Sequence, residues 1–252
     1  MRTGRLLCGL VCLGIIFIIG CNIAMETNAE KPSKQVPQNF SKKITMTVDC
    51  NYLLYLPADY DKDTKKQWPL IMFLHGAGER GKKVQTVAKF GLAKLTAKGK
   101  QFDFIIVSPQ CPNDVWWPEK TDVLINLLDE IETKYRVDTD RVYLTGLSMG
   151  GFGTWSLACR YPQRFAAIAP ICGGGELPGA HRLKNVPVWA FHGAKDDVVP
   201  VARSQEMVDA VKAAGGDVKI TIYPELGHDC WTVTYENEEL YKWFLSHKTN
   251  KK

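Results

Sequence analysis

Arg141-Val142-Tyr143-Leu144-Thr145-Gly146-Leu147-Ser148-Met149-Gly150-Gly151 runs from a short apolar stretch into a serine that has glycine two positions away on either side. Arg141 to Thr145 reads as a buried strand, and Gly151 to Cys159 as a helix that opens on small residues. A serine in so tight a strand-to-helix turn is forced into a strained backbone, so its neighbours two positions away must lack bulk. Gly146 and Gly150 meet that demand. The turn lifts the Ser148 hydroxyl above the sheet, at the positive end of a helix dipole, where a nucleophile would be put. About one chain in ten of this length carries Gly-x-Ser-x-Gly by chance, so the motif needs partners before it implies chemistry.

Two partners follow in order. The apolar run Val186 to Phe191 leads into His192-Gly193-Ala194-Lys195-Asp196-Asp197, which places Asp196 just beyond a strand. Val218 to Tyr223 reads as another strand and leads into Gly227-His228-Asp229. The order Ser148, Asp196, His228 is that of the α/β-hydrolase triad, unlike the two other well-known serine-hydrolase orders. Asp197 competes with its neighbour for the acid's place, whereas Asp229 is expected to be a surface or supporting carboxylate.

The rest of the chain reads as strands alternating with helices. Ile44 to Val48 and Tyr52 to Leu56 look like two short strands forming an antiparallel edge. Pro69 to Leu74 is wholly apolar, as expected for a strand buried on both faces. A helix pattern covers Gln85 to Ala97, then a strand Phe102 to Val107 and a helix Asp122 to Tyr135. Phe165 to Ile171 is a further strand, and helices are expected near Ala202–Ala214 and Glu236–Ser246. Such repetition gives an α/β fold, a mostly parallel sheet flanked by helices. Only fourteen residues separate Ile171 from Val186, so no substantial lid domain is expected and the cleft should be open.

With 252 residues, 45% apolar and 23% charged, the chain can bury one large core. Arg2 and Arg5 precede the apolar run Leu6 to Ile19, which closes on Gly20-Cys21. This resembles a bacterial lipoprotein signal, residues 1–20 being removed and Cys21 lipidated. A membrane anchor, for which the run is short, and an ordinary secretory signal are the alternatives; each implies export. Residues 21–40, with Asn, Glu, Lys, Pro and Gln, read as a flexible tether, and residues 41–248 as the catalytic domain. Loss of the two arginines lowers the formal charge from +5 to +3. That is too little, and too dispersed, for nucleic acid.

Of eight cysteines, Cys50, Cys111, Cys159, Cys172 and Cys230 lie in the folded part. Outside the cytoplasm, Cys172–Cys230 or Cys111–Cys172 are the candidate pairings for a bridge. No Cys or His spacing suits a metal, and no cofactor is expected. Gly76 to Lys82 matches the start of a phosphate loop, but Lys83 stands where a Ser or Thr is needed to hold magnesium.

The chemistry then assigns roles. His228 would take the proton of Ser148 as it attacks a carbonyl, and Asp196 would hold the imidazole. The oxyanion would be met by the Met149 amide. A second amide should come from His75-Gly76-Ala77-Gly78-Glu79-Arg80-Gly81, the loop after the Pro69 strand. Glu79 and Arg80 would clamp that loop by an ion pair or remain solvated. His75 and His192 read as hydrogen-bonded structural histidines. Trp116, Trp117 and Trp231 follow strand ends, where they would line an acyl, aryl or sugar pocket, or pack in the core.

Leu74 to Gly81, Val137 to Gly151 and Gly227 to Trp231 together resemble the α/β-hydrolase superfamily. Within it the chain is most similar to the phospholipase/carboxylesterase, dienelactone hydrolase and family-1 carbohydrate esterase group, including proteins described as "predicted peptidase". The resemblance implies Asp196 as the acid, four residues after His192, and Ala77 as the second oxyanion amide, with Gly78 as the alternative. It also implies hydrolysis of carboxylic esters through an acyl-enzyme, including acetyl or feruloyl groups on polysaccharide. Serine at 148 departs from the cysteine of dienelactone hydrolase itself. A serine peptidase and a non-catalytic binding module are the rival readings.

Overall fold

The computed structural model describes residues 35–249. The expected signal, Cys21 and the first part of the expected tether lie outside the described residues. Residues 35–45 form no regular element, and the larger compact unit begins at Met46. Among the described residues no helix is long and apolar enough to cross a membrane.

Among the described residues seven strands form one sheet: β1 (Tyr52–Tyr55), β2 (Trp68–Leu74), β3 (Ile105–Pro109), β4 (Val137–Leu147), β5 (Ala167–Ile171), β6 (Val188–Gly193) and β7 (Val218–Tyr223). Their order is β1-β3-β2-β4-β5-β6-β7. Only β1 is antiparallel to its neighbour, with Tyr52 opposite Pro109 and Tyr55 opposite Ile106. The helices are α1 (Gly91–Ala97), α2 (Thr121–Lys134), α3 (Met149–Arg160), α4 (Ala202–Ala213), α5 (Trp231–Glu236) and α6 (Glu238–Leu245).

Side-chain alternation along the strands divides the core into two layers. Leu70, Met72, Leu74, Val142 and Leu144 pack with residues of α2, α3 and α4, including Leu128, Trp155 and Met207. Ile71, Phe73 and Tyr143 pack with residues of α1, α5 and α6, including Leu92, Tyr235 and Phe244. Every residue of β2 is buried, the pattern of a parallel strand covered on both sides.

Two expectations fail locally. Ile44 to Val48 forms no strand; Ile44 and Met46 are exposed, so the alternation has no sheet face to bury. The helix expected over Gln85 to Ala97 is broken into a 3-10 segment, Val84–Lys89, and α1. Gly91 starts α1 at φ +63°, and an added Cβ there would lie 2.4 Å from the Phe73 ring, so the chain turns to pack on β2 rather than continuing straight. The helix expected near Glu236–Ser246 is α6, and a short α5 precedes it, with Asn237 between them accepting the Glu239 N–H as a cap. The Ile171–Val186 connection holds a 3-10 segment, Leu177–Asn185.

Candidate active site

Ser148 follows the last residue of β4 at φ 52°, ψ −116°. A Cβ on Gly150 would lie 1.9 Å from the Leu74 carbonyl oxygen, and one on Gly146 2.4 Å from the Gly150 carbonyl oxygen. Any side chain at either position would drive α3 off the strands, so the tight turn rests on both glycines. The Ser148 N–H donates to the Ile171 carbonyl at 3.0 Å, and the Cys172 sulfur also lies 3.3 Å from that nitrogen.

The loops after β6 and β7 bring up the other two groups. They cross so closely that a Cβ on Gly193 would sit 2.2 Å from the Gly227 carbonyl oxygen. His228 Nε2 lies 2.9 Å from Ser148 Oγ, and its Nδ1 lies 2.7 Å from Asp196 Oδ2. The other carboxylate oxygen accepts the Val198 and Val199 N–H groups at 2.9 and 2.8 Å. Burial raises the Asp196 carboxyl, but the hydrogen bonds from His228, Val199 and Val198 outweigh it, and the net position is below the ordinary range. An ionised Asp196 accepts the proton on Nδ1, which leaves Nε2 as an acceptor facing the serine hydroxyl. Of the two adjacent acids, Asp196 has a fully buried side chain facing His228, whereas Asp197 is exposed. Asp229 is exposed and accepts from Thr232 Oγ1 at 2.7 Å.

His192 does more than close a turn. It is fully buried, with Nδ1 2.7 Å from Ser204 Oγ and Nε2 2.9 Å from the Val199 carbonyl. Nε2 is also 3.2 Å from Asp196 Oδ2. It thereby braces the loop that presents the acid, and Ser204 of α4 is tied in turn to the Gly173 carbonyl at 2.7 Å. A His-Gly pair at a strand end marks such a histidine in the sequence; nothing there marks Ser204.

Ala77 opens a 3-10 segment, Ala77–Glu79, and Met149 opens α3. First-turn amides have no acceptor within their own helix, so both N–H groups belong to the class that can meet an anion. Beneath Ala77, His75 receives the Cys111 N–H on Nε2 at 3.0 Å and donates from Nδ1 to the Gly76 carbonyl at 2.6 Å. Burial lowers the His75 imidazole to about 4, keeping it neutral. The Glu79–Arg80 ion pair does not form. Glu79 is buried and burial raises its carboxyl, while Arg80 Nε donates to the Ala77 carbonyl at 3.0 Å.

The three tryptophans separate. Trp117 is 1% exposed and donates its indole N–H to the His75 carbonyl at 2.9 Å, so it is a wedge behind the loop instead of pocket surface. Trp116 is 44% exposed and stands edge-on to Phe152, ring centres 6.3 Å apart. Trp231 stands edge-on to the His228 ring at 5.2 Å. All five cysteines are free, so neither bridge forms. Burial, then the neighbouring Cys230, pushes the Cys172 thiol well up. Cys172, Asp196 and His228 have ligand atoms within 4.8 Å of one another. Asp196 and His228 are already bonded to each other and the thiol is held protonated, so a metal there would have to break the relay.

Residues 108–239, more than half of the 252, match the dienelactone hydrolase family. A bifunctional acetylxylan esterase/xylanase from Neocallimastix patriciarum is 30% identical over 137 residues, covering 52% of this chain and 20% of that protein. The "Probable feruloyl esterase C" of Aspergillus terreus is 28% identical over 165 residues, covering 63% of this chain and 59% of that protein. The crystal structure of a thermostable esterase superposes with a TM-score of 0.66 at 32% identity, over 78% of this chain and 59% of that one. The chain therefore spans less than two thirds of each of these relatives. The parallel sheet, the serine at its sharp turn and the matched segment containing Ser148, Asp196 and His228 lead to one conclusion: the chain belongs to the dienelactone hydrolase family of α/β-hydrolases.

Proposed function

We propose that this protein is an exported serine hydrolase that cleaves carboxylic esters, with acetyl or feruloyl esters on polysaccharide as its substrate class. The observation that carries the reading is the run of hydrogen bonds from Ser148 Oγ through His228 to Asp196, 2.9 and 2.7 Å long. Ser148 Oγ attacks the ester carbonyl while His228 Nε2 takes its proton. The tetrahedral oxyanion turns toward the Met149 and Ala77 amides, each such donor being worth about a hundred- to thousandfold in rate. His228 then protonates the leaving alcohol, and water repeats the sequence to release the acid. Asp196 stabilises the imidazolium without taking its proton.

The substrate class draws on the acetylxylan and feruloyl esterase relatives and on the short Ile171–Val186 connection, which suits esters attached to something large. Export and attachment to the bacterial cell envelope rest on Arg2, Arg5, the apolar run to Ile19 and Cys21. The decisive assay sets p-nitrophenyl acetate and acetylated or feruloylated glycans against an aminoacyl p-nitroanilide. Ester turnover that vanishes in Ser148→Ala is the expected result. Anilide turnover alone would make the protein a peptidase, and turnover of none would make it a binding module.

A further inference from the structure

A groove of about 370 Å³ runs along the helix that carries the serine, a size within the range of ligand sites. One wall is made by Phe152, Trp155, Ser156, Cys159 and Arg160. Their spacing of three, four, seven and eight from the first puts them on one face of α3. The groove begins one turn from the nucleophile, since the Phe152 N–H bonds to the Ser148 carbonyl at 3.1 Å. At 1.5 Å per residue its helical wall extends about 12 Å to Arg160. Such a length suits an extended chain more than a compact acyl group.

The charges on the groove are strongly one-sided. Arg160, Arg182 and Arg203 line it, against one acid, Glu176. Arg182, on the far wall, makes no hydrogen bond or ion pair among the described residues. Arg203 pairs with Glu206 at 3.0 Å and Arg160 with Asp122 at 2.9 Å. Both pairs are near half exposed, so they are weak and leave guanidinium donors for a third partner. At the end nearest Ser148, Phe152 lines the groove with apolar ring surface, and the exposed Trp116 stands edge-on against it from outside. Rings that pack the C–H face of a sugar, followed by spaced forks that bind carboxylates in pairs, describe one ligand chemistry.

We propose that this groove holds the alcohol side of the substrate, and that this alcohol is an acidic oligosaccharide whose uronate carboxylates pair with Arg182 and Arg203. The proposal rests on the ester-hydrolase reading for its place in the reaction, but the binding it requires does not.

The test therefore has two arms. In the first, calorimetry measures binding of a de-esterified oligogalacturonide to Ser148→Ala protein. The expected result is binding that weakens about tenfold when Arg182→Gln and Arg203→Gln are added, and falls as salt rises. A neutral xylo-oligosaccharide of equal length should bind about tenfold more weakly than the acidic one. In the second, the Arg182→Gln/Arg203→Gln enzyme should lose about tenfold in kcat/KM on acetylated oligogalacturonide, through KM, while p-nitrophenyl acetate turnover stays within about twofold. Equal binding of acidic and neutral oligosaccharides, or no effect of the two substitutions, would overturn the proposal. Arginine-dependent binding with no hydrolysis of any ester would leave the groove standing and remove the ester-hydrolase reading.

Discussion

Replacing Asp196 by Asn changes one atom of the relay, and the surrounding hydrogen bonds dictate how the new side chain must sit. One oxygen of Asp196 accepts the Val198 and Val199 N–H groups, which an amide nitrogen cannot do. The Asn oxygen is therefore held there, and its NH2 is turned toward His228 Nδ1, where Oδ2 now lies 2.7 Å away. A donor facing Nδ1 forces that nitrogen to become the acceptor and moves the imidazole proton to Nε2, opposite a serine hydroxyl it can no longer deprotonate. Wrong-tautomer variants of this kind lose about 10⁴ in kcat, equivalent to about 5 kcal/mol of transition-state stabilisation. His192 Nε2, 3.2 Å from the same oxygen, would face the new NH2 as well, so some stability should be lost besides. The assay is kcat on p-nitrophenyl acetate with KM and Tm measured in parallel, and Asp197→Asn as the control, whose kcat should stay within about twofold. A folded Asp196→Asn protein retaining more than about a tenth of the wild-type kcat would refute the assigned role.

Other outcomes follow from the packing around the serine. The native fold keeps His75 neutral down to about 4, whereas the unfolded chain takes up its proton near 6.5. The unfolded state therefore binds more protons between those values, so stability falls as pH drops from 6.5 toward 4. By pH 5 this amounts to about 2 kcal/mol, or about 4–8 °C in Tm, and calorimetric scans of His75→Gln should show the slope flattened. Gly150→Ala meets the Leu74 carbonyl, whereas Gly78→Ala meets nothing within 4 Å. The first should yield no folded protein, and the second should match wild type in yield and Tm. Trp117→Phe leaves the buried His75 carbonyl without its indole donor. Thermal unfolding should show a loss of about 1–3 kcal/mol, while Trp116→Phe, at an exposed ring, should leave Tm unchanged.

Strands were legible where burial on both faces left an unbroken apolar run. β2 fits this to within one residue of its start, whereas Val218–Tyr223, matched to the residue, is a half-buried strand in which Lys219 and Thr221 alternate with apolar residues. Ile44 to Val48 misled because alternation says nothing about whether a sheet edge is present to pair with it. The order of Ser148, Asp196 and His228 along the chain was legible because each follows a strand, and strands of a parallel sheet end on one side. What the sequence could not display is how those ends approach in space. Whether Glu79 meets Arg80, whether Trp117 faces a cleft or a carbonyl, and that α4 sends Ser204 to His192 all depend on packing across elements far apart in the chain.

The strained turn illustrates that limit. Among the described residues only Ser148 and Cys172 have positive φ without being glycine, at 52° and 40°. Conformations of this kind cost about 1–3 kcal/mol each and persist only where the surroundings over-determine them. Here each strained residue anchors the other's strand end. The Ser148 N–H bonds to the Ile171 carbonyl at 3.0 Å, and the Cys172 N–H bonds to the Phe191 carbonyl at 2.8 Å. The Cys172 sulfur lies against the Ser148 nitrogen. The ends of β4, β5 and β6 are thus stitched together directly beneath the serine, so the turn cannot relax without freeing the neighbouring strand. Two glycines make the serine's conformation sterically possible, and a buried cysteine twenty-four residues away helps to hold it. The first half of that arrangement is written as a motif; the second becomes visible only in three dimensions.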